Sequence, residues 1–206
     1  MNKFPLISLA GAALLALAAV HAPAAQWTGA QERQGAASVT WADLEHSQWI
    51  ADGRDDAPRK VYVFMDANCK YCTKFWSDAR PWVRSGKVQL RHIMVAVIAP
   101  TSAGKAATLM VDPDPAKRLS SFEEAHAFGV VRMLADGTRH SLEDPNLQPM
   151  QSVPPEIGRS LNDHERLMRS LGLRGTPGIV FRALDGRLAT RPGIPSDELP
   201  AILGAL

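Results

Sequence analysis

Two cysteines constrain this 206-residue chain more than any other feature, because it has no others and they stand three positions apart. Cys69-Lys70-Tyr71-Cys72 follows closely on Val61-Tyr62-Val63-Phe64-Met65, a continuous β-branched and aromatic run of the kind that makes a buried parallel strand. Behind the pair, Phe75, Trp76, Ala79 and Trp82 recur at helical spacing, with Pro81 as a predicted kink and Gly86 as the stop. The cysteines are thus predicted at a strand-to-helix junction, with Cys69 at the helix cap and Cys72 one turn deeper on the same face. The free N–H groups and partial positive charge of a helix N-terminus stabilise a thiolate. A thiol so placed has its pKa lowered from about 8.5 to roughly 3.5–7.5. Cys69 is therefore expected to be the nucleophile, and the shielded Cys72 to resolve the mixed disulfide that Cys69 forms. Lys70 adds a positive charge beside Cys69 and acts in the same direction.

Other uses of a cysteine pair fit less well. A structural disulfide seldom closes so short a loop at a helix start. A tetrahedral zinc site needs two more ligands, and the chain has no further cysteine and no histidine pair at ligand spacing. Haem attachment wants a histidine directly after the second cysteine, where this chain has Thr73. No metal and no cofactor is expected. A second marker is Gly175-Thr176-Pro177, ahead of a predicted strand at Ile179-Val180-Phe181. X-Pro bonds are the only common cis sites. Set opposite the cysteines, such a bond would leave backbone groups of Thr176 free to meet an extended substrate segment.

The start of the chain carries an address. Lys3, an apolar stretch from Leu6 to Val20 and the small residues of Ala22-Pro23-Ala24 predict a secretory signal peptide over 1–24, cleaved after Ala24. The stretch is too short and too Ala-rich for a membrane span, and no other run approaches that length, so the product is not expected to be membrane-embedded. Export places it where disulfides persist. With 23 basic against 21 acidic residues and a net charge of +2, nothing calls for a nucleic-acid partner. Arg80, Arg84, Lys87 and Arg91 read as a solvated face.

Residues 25–58 are expected to form a lead-in with a short helix from Trp41 to Ile50, capped by Thr40. The catalytic domain is predicted over 59–206. A strand from Val88 to Ile98 completes a βαβ unit in about forty residues. The segment 99–175 carries helical patterns and reads as an insertion. Asp114-Pro115 opens one helix through Leu119, Phe122 and Ala125. A long loop from Asp136 to Pro155 follows. Pro155-Glu156 then opens another helix on Ile157, Leu161, Leu167, Met168 and Leu171, ended by Gly172. His164 falls on its apolar side and reads as a packing residue, while His46, His92, His126 and His140 show no constellation. After the strand at 179–181, Asp185-Gly186 marks a hairpin to a return strand at Leu188–Thr190, and Ser196-Asp197-Glu198 opens a last helix. The predicted fold class is α/β, a βαβ unit and a ββα unit separated by a helical insertion.

Taken together, Val61-Tyr62-Val63-Phe64, Cys69-x-Tyr71-Cys72 and Gly175-Thr176-Pro177 resemble a thioredoxin-fold oxidoreductase. More narrowly they resemble the periplasmic DsbC/DsbG family of disulfide isomerases and reductases, nearest its DsbG branch. The likeness extends through Phe75-Trp76, Ala79-Arg80-Pro81-Trp82-Val83, Ser85-Gly86-Lys87-Val88, Asp112-Pro113-Asp114-Pro115 and Asn162-Asp163-His164-Glu165. The resemblance implies an attacking Cys69, a resolving Cys72 and a Thr176–cisPro177 loop against them, with Lys70 and Tyr71 in the active-site loop. It implies cysteine-containing exported proteins as partners, rescue of sulfenylated cysteines as a further task, and a membrane electron donor of the DsbD type. The chain departs from the DsbG branch at Lys70, where that branch has proline. About 35 residues separate the predicted signal peptide from Val61, too few for the family's N-terminal dimerisation domain, so the expectation is a chain without it. A monomeric DsbA-like oxidase and a non-redox periplasmic holdase are the alternatives. Val63 stands where thioredoxins keep a buried carboxylate, and Asp66 is the nearest acid to the pair.

Overall fold

The chain is organised around β2 (Arg59–Met65), which is buried from Val61 onward. In the computed structural model, residues 39–193 and 195–206 are described. The signal-peptide reading of 1–24 and the lead-in up to residue 38 lie outside them. β2 pairs in parallel with β3 (Val88–Met94), from Arg59 opposite Val88 to Met65 opposite Met94. On its other side it pairs antiparallel with β4 (Gly178–Arg182), Val63 opposite Ile179. β1 (Ile50–Asp52) and β5 (Leu188–Pro192) close the two edges, giving the order β1-β3-β2-β4-β5.

A parallel pair demands a crossover. It is supplied by α2 (Lys70–Asp78) and α3 (Arg80–Arg84). Pro81 does not kink one helix; it starts a second. It occupies the first turn of α3, where a missing N–H costs no hydrogen bond, and Ala79 caps α2. The side chains of the central strands alternate between two cores. Val61, Val63 and Met65 join Phe75, Trp82, Leu109 and Phe122 on one face, and Tyr62 and Phe64 join Leu44, Ile93 and Met168 on the other. Both faces of the sheet are thus covered, which is why β2 reads as an unbroken apolar run.

The insertion supplies α4 (Ser102–Met110), α5 (Pro115–Asp136) and α6 (Pro155–Ser170). α5 continues well past Ala125 and stops at Gly137, whose φ of +76° suits glycine. α4 lies against the loop that follows α5. A β-carbon on Gly104 would come within 2.6 Å of the Met150 carbonyl, so the close approach needs glycine there. α7 (Leu199–Leu203) ends the fold.

Two further element boundaries differ from the sequence expectation. α1 (Trp41–His46) is held by a capping box between Thr40 and Asp43, but it ends before Ile50. Ile50–Asp52 instead pairs with His92–Leu90 as the edge strand β1, which buries Ile50. The apolar run Val88–Ile98 leaves the sheet at Met94. The buried Asp66 carboxylate draws it away by accepting the N–H groups of Val97 and Ile98 at 2.8 and 3.0 Å. No helix among the described residues is long and apolar enough to cross a membrane.

Candidate active site

Cys69 is the N-cap of α2, with extended backbone (φ −96°, ψ 101°), and its Sγ accepts the Cys72 N–H at 3.2 Å. The first turn carries no acidic side chain to oppose a thiolate. Both sulfurs are reduced; Cys69 is 3% and Cys72 2% exposed. A shared helix face does not give them the same chemistry. Hydrogen bonding from the Cys72 side chain lowers the Cys69 thiol to about 7, against the opposing effect of burial. Thr176 and the Cys72 and Tyr71 backbone groups add to the lowering. Burial, together with the neighbouring Cys69, pushes the Cys72 thiol well above its ordinary value.

Thr176 and Pro177 sit directly across from the cap. The Thr176–Pro177 peptide is cis, and as a thiol Cys69 Sγ donates to the Thr176 carbonyl at 3.3 Å. The Thr176 hydroxyl is buried without a hydrogen-bond partner among the described residues. Two clefts meet at this point. One, of about 400 Å³, is lined by Cys69, Lys70, Ile98, His140 and Thr176. The other, of about 700 Å³, is lined by Lys74, Phe75, Pro177 and Pro192. Tyr71 borders both and is 55% exposed, with the Lys70 ammonium 5.3 Å from its ring centre. The arrangement sets one ionisable sulfur against the Thr176 carbonyl where the two clefts open.

The loop before Cys69 is held from below. Asp66 accepts from the Asn68 N–H and the Ser102 hydroxyl in addition to Val97 and Ile98, so its lone pairs are committed to loop structure rather than to proton transfer from the cysteines. Lys105 is fully buried and donates to Asn68 Oδ1 at 2.9 Å, to the Leu142 carbonyl at 2.8 Å and to Glu143 Oε1 at 3.3 Å. It ties the residue next to Cys69 to the far wall of the smaller cleft.

Sequence reasoning missed the polar groups behind α2. Arg80 is not solvated: its side chain is 13% exposed, stacks 3.8 Å from the Trp76 ring centre and forks onto Asp52, Nη1 to Oδ1 at 2.9 Å and Nη2 to Oδ2. Arg91 stacks on Trp49 and donates to the Tyr62 hydroxyl at 2.6 Å, whereas Arg84 and Lys87 are exposed as expected. Burial works to raise Asp52, but bonds and charge from His92 and Arg80 hold its carboxyl well below the usual carboxylate range.

The histidines also differ from the expectation of no constellation. His126 Nε2 faces Asp144 Oδ2 at 3.2 Å, and its Nδ1 meets His140 Nε2 at 3.0 Å, the latter ring on the wall of the Cys69 cleft. His164 packs as predicted: burial lowers its pKa, and Nδ1 donates to the Met94 carbonyl at 2.8 Å. A sequence signal existed for part of this. Leu119, Phe122, Glu123, His126 and Val130 fall on one face of α5, and all five are buried.

No protein-family model matches the chain. The thiol:disulfide interchange protein DsbG of Pseudomonas aeruginosa is 42% identical over 169 residues, 82% of this chain and 60% of that protein. The DsbG of Escherichia coli is 39% identical over 165 residues, 80% of this chain and 60% of that protein. The chain therefore spans 60% of the length of each of these relatives. A periplasmic thioredoxin-like protein from Salmonella enterica serovar Typhimurium superposes with a TM-score of 0.61 at 15% identity, covering 81% of this chain and 97% of that one. The catalytic domain of Proteus mirabilis ScsC gives 0.54 at 20% identity, covering 75% and 86%. The structural likeness establishes a thioredoxin-like fold. The sequence likeness, over 60% of each relative's length, is to two thiol:disulfide interchange proteins named DsbG.

Proposed function

We propose that the protein is a periplasmic thiol–disulfide oxidoreductase that reduces or isomerises disulfides in exported proteins. The observation that carries this reading is the contrast between two cysteines one helical turn apart, Cys69 lowered to about 7 and Cys72 raised by burial. Cys69 thiolate attacks one sulfur of a substrate disulfide, forming a mixed disulfide and releasing the other substrate sulfur as a thiolate. If that thiolate or another substrate thiol attacks the mixed disulfide, pairing changes with no net oxidation. If Cys72 attacks instead, the substrate leaves reduced and the two electrons come from the Cys69–Cys72 pair. A sulfenylated cysteine is handled by the same first attack, with loss of water.

Return to the dithiol needs a donor, and a membrane reductase of the DsbD type fits that requirement. A signal peptide over 1–24, as the sequence reading expects, would carry the product to the periplasm. Cys69 is lowered from its ordinary value, the direction that an attacking thiolate requires.

Trapping tests the proposal. A Cys72→Ala variant incubated with periplasmic extract accumulates mixed disulfides through Cys69 that dithiothreitol releases. No adduct from an extract rich in disulfide-bonded proteins would sink it. A Cys69→Ala variant with full function in vivo would favour the holdase alternative.

A further inference from the structure

Glu123 is a buried acid behind the dithiol that the exchange chemistry above does not use. It projects from α5 towards the back of α2, is 1% exposed, and its Oε2 meets no hydrogen-bond partner among the described residues. Thr73, the residue after Cys72, is the neighbouring side chain that favours its charged form. Among the described residues no cation pairs with it. The nearest candidate, Arg80 on α3, is already forked onto Asp52 of β1, and Asp52 in turn holds His92 of β3. On its own helix the neighbouring His126 is engaged by Asp144. The remaining charged group that faces it is Cys69, at the cap of α2. An acid so deeply buried is sensitive to whether Cys69 carries a charge, because burial leaves it little solvent to screen the interaction, and Arg80, forked onto Asp52, offsets it only in part.

We propose that Glu123 is a redox-linked proton site, taking up a proton when the Cys69–Cys72 disulfide is reduced and releasing it when the disulfide reforms. The balance closes. A dithiol reductant supplies two electrons and two protons and becomes a disulfide; the enzyme disulfide becomes the Cys69 thiolate and the Cys72 thiol, which keeps one proton. The second proton goes to the Glu123 carboxylate. Burial raises this carboxyl to about 8, and the Cys69 thiolate contributes to the rise. By reciprocity the ionised carboxylate disfavours the thiolate by the same free energy, so the two sites titrate as a pair. Uptake per molecule is greatest in the window between the Glu123 titrations of the oxidised and reduced forms, at and below about 8. Glu123 acts through the cysteines and does not touch substrate, so its role is positioning of charge.

The inference rests on the thiol–disulfide reading of the pair. Its test follows the carboxyl carbon resonance of Glu123 against pH in the wild-type protein, once with the disulfide formed and once after dithiothreitol. The expected result is a midpoint near 8 in the reduced form and a lower one in the oxidised form. Equal midpoints in the two forms would overturn the inference, as would an ordinary carboxylate midpoint in the reduced form. A companion measurement compares the pH dependence of the equilibrium with glutathione for wild type and Glu123→Gln. The wild-type constant should change more steeply with pH inside the window, and parallel curves would count against the proposal. A pair that dithiothreitol and glutathione cannot reduce and reoxidise overturns both this inference and the function above. A reversible pair with an unmoved Glu123 overturns this one alone.

Discussion

Replacing Cys72 by alanine should do more than trap substrates, because the Cys72 side chain is the largest influence lowering the Cys69 thiol to about 7 from an ordinary 9.0. At about pH 6 a thiol titrating at 7 is roughly 9% thiolate, and one at 9.0 is roughly 0.1%. That is about a ninety-fold difference in reactive species. A more basic thiolate is also intrinsically the better nucleophile. With a Brønsted slope of about 0.4–0.5, two pH units return a factor of roughly six to ten. Full loss of the stabilisation would therefore slow alkylation of Cys69 about ten-fold near pH 6 and speed it above about pH 9. The Cys72 N–H, 3.2 Å from Cys69 Sγ, survives the substitution, so the observed change should fall short of that limit. Cys72→Ser, which restores a hydroxyl donor, should fall between the two. The assay is the rate of iodoacetamide modification against pH, with the midpoint read for each variant. An unmoved midpoint in Cys72→Ala would refute the reasoning and assign the shift to the helix end and Thr176.

Three further outcomes follow from buried polar groups. An acid whose folded pKa is raised binds its proton more tightly in the folded state, so Glu123 costs nothing below its ordinary 4.5 and progressively more as pH rises towards and past 8. Glu123→Gln should therefore resist urea better than wild type at pH 8, by up to about 5 kcal/mol, with the advantage vanishing near pH 4. Arg80→Ala leaves Asp52 buried beside an uncharged methyl group and should cost about 3–5 kcal/mol in thermal or urea unfolding. Because Asp52 is depressed in the fold, its contribution is present above 3.8 and lost as pH falls below it, so the variant should also unfold at a less acidic pH than wild type. Lys105→Met removes the donor shared by Asn68 and Leu142, leaving acceptors that cost about 1–3 kcal/mol each when buried and unpaired. Faster amide exchange over residues 138–144 should report the loosened cleft wall.

Much of the fold was legible because its signals are local. The run from Val61 to Met65 declares a strand buried on both faces, and Asp114-Pro115 opens a helix by backbone chemistry that acts within a few residues. The edge strand Ile50–Asp52 escaped notice because three residues carry no periodicity; only the offered backbone of Leu90–His92 makes them a strand. The same holds for the end of β3, where an aspartate about thirty positions earlier captures the two N–H groups that would have continued the ladder.

By itself, the sequence determined that two cysteines sit at a strand-to-helix junction, that the first lies at the cap, and that a Thr-Pro bond precedes the strand at Gly178. Those facts follow from spacing and capping, which depend on neighbours along the chain. Only the tertiary structure decided that Arg80 belongs to Asp52, that Lys105 braces the loop before Cys69, and that Glu123 is buried behind the pair. The physical reason is desolvation. A charged side chain looks alike in sequence whether water or protein surrounds it, and its chemistry is set by which groups from distant segments replace the water.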